Sequence, residues 1–145
     1  MGATTSRKMI LVYSDDLTVR AAVLSALGKR VSADLPEHDI SEFATADALR
    51  AFVDASHLDR TIDLIILDAE AVPEGGMGVS RQLKDEVFQC PPVLLIIARP
   101  DDAWLAAWSR AEATVLAPID PFTFANVAAG LLRAPSAAYA HGVTH

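Results

Sequence analysis

The sequence predicts an α/β domain in which helices cover both faces of a five-stranded parallel sheet. Short apolar segments alternate five times with segments of helical spacing, and the connections between them are short. In several of these segments the apolar residues follow one another without alternating with polar ones, which is typical of parallel strands that are buried on both faces. They are also too short to be read as helices.

The strands are predicted where apolar residues follow one another without a helical period. The run at residues 64–67 is the strongest and ends at Asp68, and the run at residues 40–43 is the weakest. The predicted strands comprise residues 9–13, 40–43, 64–67, 93–97 and 114–116.

The helices are predicted from apolar residues at helical spacing and from the residues that start or stop them. Gly28 is a stop signal for the first helix, Thr45 is a plausible N-cap of the second, and Pro121 suits the first turn of the last. The predicted helices comprise residues 19–27, 46–55, 78–86, 102–111 and 121–132.

Length and composition describe one acidic domain. The chain has 145 residues, of which 52% are hydrophobic and 21% are charged, and its formal net charge is −7. This is the size and composition of a single globular domain with a core of its own. We expect the domain to span residues 8–133, with flexible tails at residues 1–7 and 134–145.

Charge, apolar runs and cysteine content exclude several classes of protein. Phosphate contacts need clustered Lys and Arg, so a net charge of −7 argues against binding to nucleic acid or anionic lipid. The apolar runs are far shorter than the ~20 residues needed to cross a bilayer, which argues against a membrane protein. The single cysteine, Cys90, cannot form an internal disulfide, and a reducing cytoplasmic location fits best.

Carboxylates follow two of the predicted strands, where ligands bind in parallel sheets. Asp15 and Asp16 come after the first strand, and Asp68 directly follows the third. If these strands are neighbours, the carboxylates repel one another, and a bound Mg²⁺ or a raised pKa would relieve the repulsion. For Asp15 and Asp16, the alternative is that the side chain caps the following helix.

The order and spacing of several segments resemble the receiver domain of bacterial two-component response regulators. The match covers residues 8–133, and although each segment alone is weak, the set together is specific. The segments are ILVYSDD at residues 10–16, DLIILDAE at 63–70, Gly76, VSRQL at 79–83, PVLLIIAR at 92–99 and LAPID at 116–120. The resemblance implies a flavodoxin-like, doubly wound (βα)5 fold with strand order 2-1-3-4-5.

The resemblance also implies a site at the carboxyl edge of the sheet. Asp68 matches the aspartate that accepts a phosphoryl group from a histidine kinase, with Mg²⁺ held between it and an acidic pair after the first strand. That pair is either Ser14 and Asp15 or Asp15 and Asp16. Glu70 matches the position whose backbone carbonyl binds the metal, and its carboxylate would repel a phosphoryl group.

Three positions depart from the pattern of the family. Ile97 stands where a Thr or Ser hydroxyl is expected, Thr114 where an aromatic residue is expected, and Ala117 where a Lys is expected. We therefore expect an atypical, stand-alone receiver that signals through protein–protein interaction. The alternative is a residual Mg²⁺-dependent phosphoacceptor in a phosphorelay. Pro118 fits the family, and we expect the Ala117–Pro118 bond to be cis.

Trp104 and Trp108 lie four residues apart on the fourth predicted helix, in a segment without charge. They either pack inside the domain or form a partner surface, since Trp is a favoured anchor of interfaces. The resemblance places such a surface on the fourth helix, fifth strand and fifth helix. A histidine kinase, an unknown effector or a second copy of the chain are the partners considered.

A catalytic function is not expected. The segment around Asp68 faintly resembles the nucleophile strand of haloacid-dehalogenase phosphatases. That family has a second Asp where this chain has Glu70, and a downstream Lys that cannot be placed here. A small phosphatase-like hydrolase is therefore only a remote alternative.

Overall fold

A five-stranded parallel sheet in the order β2-β1-β3-β4-β5 forms the centre of the molecule. The computed structural model describes residues 7–56 and 61–144, with side chains described as far as residue 133. The strands are β1 (Lys8–Tyr13), β2 (His38–Phe43), β3 (Leu64–Asp68), β4 (Val93–Ile97) and β5 (Ala113–Leu116). The predicted α/β class and the strand order implied by the resemblance are both confirmed.

The helices cover both faces of this sheet, as predicted. They are α1 (Leu17–Leu27), α2 (Ala46–Ser56), α3 (Gly76–Glu86), α4 (Ala103–Ser109) and α5 (Pro121–Thr144). Helices α1 and α5 pack on the face that carries Ile10 and Val12 of β1. Helices α2, α3 and α4 pack on the face that carries Leu11 and Tyr13. Successive residues of one strand therefore enter two separate cores.

Burial explains why the central strands are apolar at every position. All five residues of β3 and all five of β4 are buried, because each strand has a neighbour on both sides and helices above and below. Strand β2 lies at the edge of the sheet and has exposed positions, including Asp39. Its mixed composition is the reason that it was the weakest of the predicted strands.

Local hydrogen bonds accompany the predicted starts of α2 and α5, which are both confirmed. The hydroxyl of Thr45 accepts a hydrogen bond from the backbone N–H of Ala48 at 3.2 Å, which is the expected N-cap of α2. Helix α5 begins at Pro121, and the N–H of Thr123 donates to the carboxylate of Asp120 at 2.8 Å.

Every helix differs from the prediction at one boundary or more, and α1 begins at Leu17 rather than at residue 19. The fourth helix divides into a single 3-10 turn at Pro100–Asp102 followed by α4, which ends where Arg110 adopts a left-handed φ of 65°. Helix α3 begins at Gly76 rather than at residue 78, because the glycines belong to its first turn. Helix α5 continues to Thr144, so its backbone extends into the predicted C-terminal tail. Residues 1–6 of the predicted N-terminal tail lie outside the described residues.

Within residues 7–56 and 61–144, no helix has both the length and the apolar character that are needed to cross a bilayer.

His38 is a buried titratable group at the start of β2, with 5% of its surface exposed. Its Nε2 lies 2.7 Å from the carbonyl oxygen of Gly28, while its Nδ1 has no hydrogen-bond partner among the described residues. Burial lowers the pKa of His38, and the Gly28 carbonyl acts in the opposite direction. Among the nearby charges, Arg7 lowers the pKa further, whereas Glu37 and Asp39 raise it.

This environment predicts a pH-dependent stability. The unfolded chain binds a proton at His38 below the ordinary pKa of 6.5, whereas the folded chain resists protonation until a lower pH. The free energy of unfolding should therefore fall as the pH drops below 6.5, by up to about 1.4 kcal/mol per unit of pKa difference. Urea denaturation at neutral pH and at one pH unit below 6.5 measures the change in the free energy of unfolding. His38→Gln should remove the contribution of His38 to that change. An identical pH dependence in both proteins would contradict the prediction.

Candidate functional site

Asp68 is the last residue of β3, and only 5% of its surface is exposed. Strands β1 and β3 pair with Tyr13 opposite Leu67, so the next residue of each chain segment, Ser14 and Asp68, meet at the carboxyl edge of the sheet. The hydroxyl of Ser14 donates to Oδ2 of Asp68 at 2.8 Å, and the backbone N–H of Glu70 donates to Oδ1 at 2.8 Å. Both oxygens of the Asp68 carboxylate therefore already accept a hydrogen bond.

Asp15 connects two loops beside this pair. Its side chain is exposed, and its Oδ1 accepts a hydrogen bond from the backbone N–H of Val72 at 3.0 Å. The loop after β1 is thereby joined to the loop after β3. Asp15 is the carboxylate that the structure holds next to the Asp68 loop, as both alternatives for the acidic pair require.

Asp16 caps helix α1 instead. Its Oδ1 accepts a hydrogen bond from the backbone N–H of Thr18 at 2.8 Å, which confirms the capping alternative. Because Ser14 is the residue bonded to Asp68, the geometry favours Ser14 and Asp15 as the matched pair over Asp15 and Asp16. The role of Asp16 as a metal ligand stays a prediction, and its carboxylate bonds to the helix rather than to Asp68.

The loop of residues 69–75 lies over the carboxyl edge and is fixed by several contacts. The hydroxyl of Tyr13 donates to the carbonyl oxygen of Glu74 at 2.6 Å, and Arg50 forms an ion pair with the Glu74 carboxylate. A Cβ at Gly76 would lie 2.8 Å from the carbonyl oxygen of Asp68, so glycine is required where α3 approaches β3. Glu70 lies on the exposed side of this loop.

Arg20 and Tyr13 are contributors that sequence reasoning missed. Nη1 of Arg20 donates to the carbonyl oxygen of Ser14 at 2.6 Å, while its Nε pairs with Glu42 at 3.1 Å. The position of Arg20 one turn into α1 could have suggested a contact with the end of β1. No pattern in the sequence indicates that the Tyr13 hydroxyl would reach residue 74.

The three positions that depart from the family pattern lie on β4, on β5 and directly after β5. Ile97 is the buried last residue of β4, and its carbonyl accepts a hydrogen bond from the N–H of Ala117 at 2.8 Å. Neither side chain carries a polar atom. Thr114 is exposed on β5. The Ala117–Pro118 bond is cis, as predicted, and the Val72–Pro73 bond is also cis.

The residues at this edge are a poor set of ligands for Mg²⁺. The pair beside Asp68 offers one carboxylate, on Asp15, and the neutral hydroxyl of Ser14. In the part of the chain that the structure describes, no three His, Cys, Asp or Glu side chains form a group that could hold a metal ion. Mg²⁺ requires near-ideal octahedral oxygen ligation, usually with carboxylates. With Asp68 and Asp15 as carboxylates and the Ser14 hydroxyl in place of an acid, the site has one carboxylate fewer than the metal site that the resemblance implies.

Trp104 and Trp108 are 70% and 49% exposed, so the interpretation that both pack inside the domain is wrong. The guanidinium of Arg81 lies 5.4 Å from the centre of the Trp108 ring. Strand β5 is at the edge of the sheet between α4 and α5, and Leu116 and Phe122 there are also exposed. We call Trp104, Trp108, Leu116 and Phe122 the α4–β5–α5 surface.

This sheet order, with a buried aspartate at the end of the third strand, matches the flavodoxin-like fold of signal-receiver domains, and comparison with solved structures agrees. A CheY-like receiver domain protein from Methanospirillum hungatei JF-1 has a TM-score of 0.71 and 15% identity, covering 90% of this chain and 98% of that chain. The signal receiver domain of an HD domain-containing protein from Pseudomonas fluorescens Pf-5 has a TM-score of 0.75 and 16% identity, covering 94% of both chains. These identities establish the fold alone.

Sequence relatives establish the family. Response regulatory proteins from two strains of Mycobacterium tuberculosis, both named as uncharacterized, are 50% identical to this chain over 127 residues, which are 88% of this chain and 92% of theirs. No family model matches the chain. The chain belongs to the response regulator family, and its domain is a CheY-like receiver domain of two-component signalling.

The Ser14–Asp68 hydrogen bond predicts a stability effect. Ser14→Ala removes a buried donor to a carboxylate, and a hydrogen bond to a charged group contributes about 1.5–3 kcal/mol. We expect the free energy of unfolding to fall by about that amount, as measured by chemical denaturation. Ser41→Ala is the matched control, because among the described residues the Ser41 hydroxyl has only a weak hydrogen-bond contact, with the sulfur of Met9 at 4.0 Å. Equal losses in the two variants would contradict the prediction.

Proposed function

We propose that this chain is an atypical receiver that acts in signal transduction by binding a protein partner, without catalysis and without depending on phosphorylation of Asp68. The observation that supports the proposal most directly is the apolar character of Ile97 and Ala117. The two residues are joined by a backbone hydrogen bond at the carboxyl edge, and their side chains offer neither a hydroxyl nor a cation.

Electrostatics explains why these two residues matter. A phosphoryl group carries a charge of about −1.5 to −2 near neutral pH and needs hydrogen-bond donors or cations around it. Asp15 and Glu70 are exposed carboxylates near Asp68 and would repel a phosphoryl group attached there. Each missing charge-assisted hydrogen bond removes about 1.5–3 kcal/mol of stabilisation. Phosphorylated Asp68 would therefore be less stable than it would be beside a hydroxyl and an ammonium group.

The same residues also bear on how a signal would leave the site. Ile97 is 3% exposed and belongs to the core that includes Leu95 and Ala106. A buried aliphatic side chain cannot follow a phosphoryl oxygen by forming a hydrogen bond. Thr114 has no ring whose rotation could transmit a change to the surface. We infer that the partner-binding form does not require modification of Asp68.

A residual Mg²⁺-dependent phosphoacceptor is the second candidate. Its support is that Asp68 lies at the carboxyl edge beside Asp15, and that one solved neighbour, with a TM-score of 0.68 and 16% identity, is described as a BeF3-activated DrrB receiver domain. It covers 88% of this chain and 98% of that chain. The remote phosphatase-like alternative is tested by a colorimetric phosphatase assay.

The partner proposal concerns the α4–β5–α5 surface. Trp104 and Phe122 are 70% and 82% exposed, and large aromatic side chains are frequent anchors of protein interfaces. A histidine kinase, an effector protein or a second copy of the chain would bury them. The proposed location of this encounter is the cytoplasm.

The phosphorylation part of the proposal is tested by titration with acetyl phosphate or beryllofluoride in the presence of Mg²⁺. We expect the amide NMR spectrum of the wild-type chain to show no change that depends on Asp68, because Ile97 and Ala117 supply no donors. Asp68→Asn is the control. Saturable shifts in the wild type that disappear in Asp68→Asn would support the second candidate and overturn this part of the proposal.

The partner part is tested by substitution on the surface. Trp104→Ala should reduce capture of a partner from a lysate of the source cells at least tenfold, because truncating a buried interface Trp commonly costs about 2 kcal/mol or more. Stability should change little, since the ring is largely exposed. Phe88→Ala is the matched control, because Phe88 is 88% exposed but lies between α3 and β4, outside this surface. Equal capture by both variants would exclude this surface as the docking site.

A further inference from the structure

Every polar atom of Ser14 at the carboxyl edge forms a hydrogen bond. It is fully buried, its N–H donates to the carbonyl of Phe43 at 3.1 Å, and its own carbonyl accepts from Arg20 at 2.6 Å. Its hydroxyl oxygen accepts from the N–H of Asp16 at 3.0 Å and donates to Asp68 at 2.8 Å. The backbone and the side chain of Ser14 are thus both held in place.

These bonds determine the direction of the hydroxyl proton. The N–H of Asp16 occupies an acceptor site on the Ser14 oxygen, and a hydroxyl has only one proton to donate. The Asp68 carboxylate is the acceptor within reach of that proton. The buried carboxylate therefore has two neutral donors, the Ser14 hydroxyl and the Glu70 N–H.

We infer that the Ser14 hydroxyl serves as the hydrogen-bond donor to the Asp68 carboxylate in place of a divalent cation, so that the site keeps its shape without metal. This inference rests on the proposed function and deepens it, because it names the residue that makes the site independent of metal. The mismatch between the ligand set and Mg²⁺ at this edge is its second support.

A carboxylate at position 14 in place of the hydroxyl would make the site require a cation. The Ser14 oxygen lies 2.8 Å from Oδ2 of Asp68, so Ser14→Asp would place two carboxylates in contact, with Asp15 next in the chain. Carboxylates at such a distance need a cation or a bound proton. Ser14→Asp should therefore create a site that binds Mg²⁺. Ser14→Asn is the matched control, because an Asn side chain has the shape of an Asp side chain without its charge.

The experiment measures the thermal unfolding midpoint and the heat of Mg²⁺ titration for each protein, in the absence of any phosphoryl donor. A ligand that binds only the folded state raises the midpoint as its concentration increases. We expect millimolar Mg²⁺ to leave the wild type and Ser14→Asn unchanged. Ser14→Asp should have a lower midpoint without Mg²⁺ and regain it when Mg²⁺ is added, and EDTA should reverse the gain.

Ser14→Ala covers the case in which Ser14→Asp does not fold. It leaves Asp68 without the hydroxyl donor, and we expect Mg²⁺ to raise its midpoint more than that of the wild type. A rise in the wild type that is lost in Asp68→Asn would overturn the inference, as would the absence of any Mg²⁺ effect in both Ser14→Asp and Ser14→Ala.

The result is separable from the phosphorylation test. A wild type that binds Mg²⁺ but does not respond to beryllofluoride overturns this inference and leaves the proposed function standing. A wild type that responds to beryllofluoride through Asp68 overturns the proposed function, whereas the role of Ser14 is still decided by the titration without a phosphoryl donor.

Discussion

The parallel pairing of β1 with β3 is the interaction on which the rest of the structure depends. It places Ile10 opposite Leu64 and Tyr13 opposite Leu67, and all four side chains are at most 1% exposed. Backbone groups buried this deeply must be bonded, so a shift of the register would leave donors unpaired and would also exchange the two faces of the strand. The same register brings Ser14 to Asp68. The functional edge is thus a direct consequence of how the core is paired.

The sequence predicts those parts of the fold that depend on composition over several residues, and it fails where a single contact decides. Strand β4 was predicted with its observed bounds, because a buried central strand leaves a continuous apolar run. The sequence does not decide whether Ser14 or Asp16 is the neighbour of Asp68, because the two residues are only two positions apart. The register of β1 with β3 and the hydrogen bond from the Thr18 N–H to the Asp16 carboxylate distinguish them.

The sequence could not decide whether the two tryptophans are exposed, for a similar reason. Helix α4 has seven residues, and its two buried residues, Ala106 and Ser109, are both small. The hydroxyl of Ser80 on α3 donates to the carbonyl of Ser109 at 2.9 Å, and this close approach leaves no room for a large side chain between the helices. Trp104 and Trp108 are therefore directed outward. An uncharged helical segment does not reveal which of its faces is narrow enough to be buried.

One connection between the acidic edge and the α4–β5–α5 surface passes through Ile97 and Ala117. The link runs from Ile97 to Ala117 by one backbone hydrogen bond, and from there to Leu116, which is 46% exposed. Coupling between two sites requires an element with two discrete arrangements that both sites bias. Aliphatic side chains and a hydrogen bond within the sheet do not supply one. Under the proposed function, the bond between Ser14 and Asp68 stabilises the edge, while the aromatic surface would provide the contacts to a partner, and the two contributions should be independent.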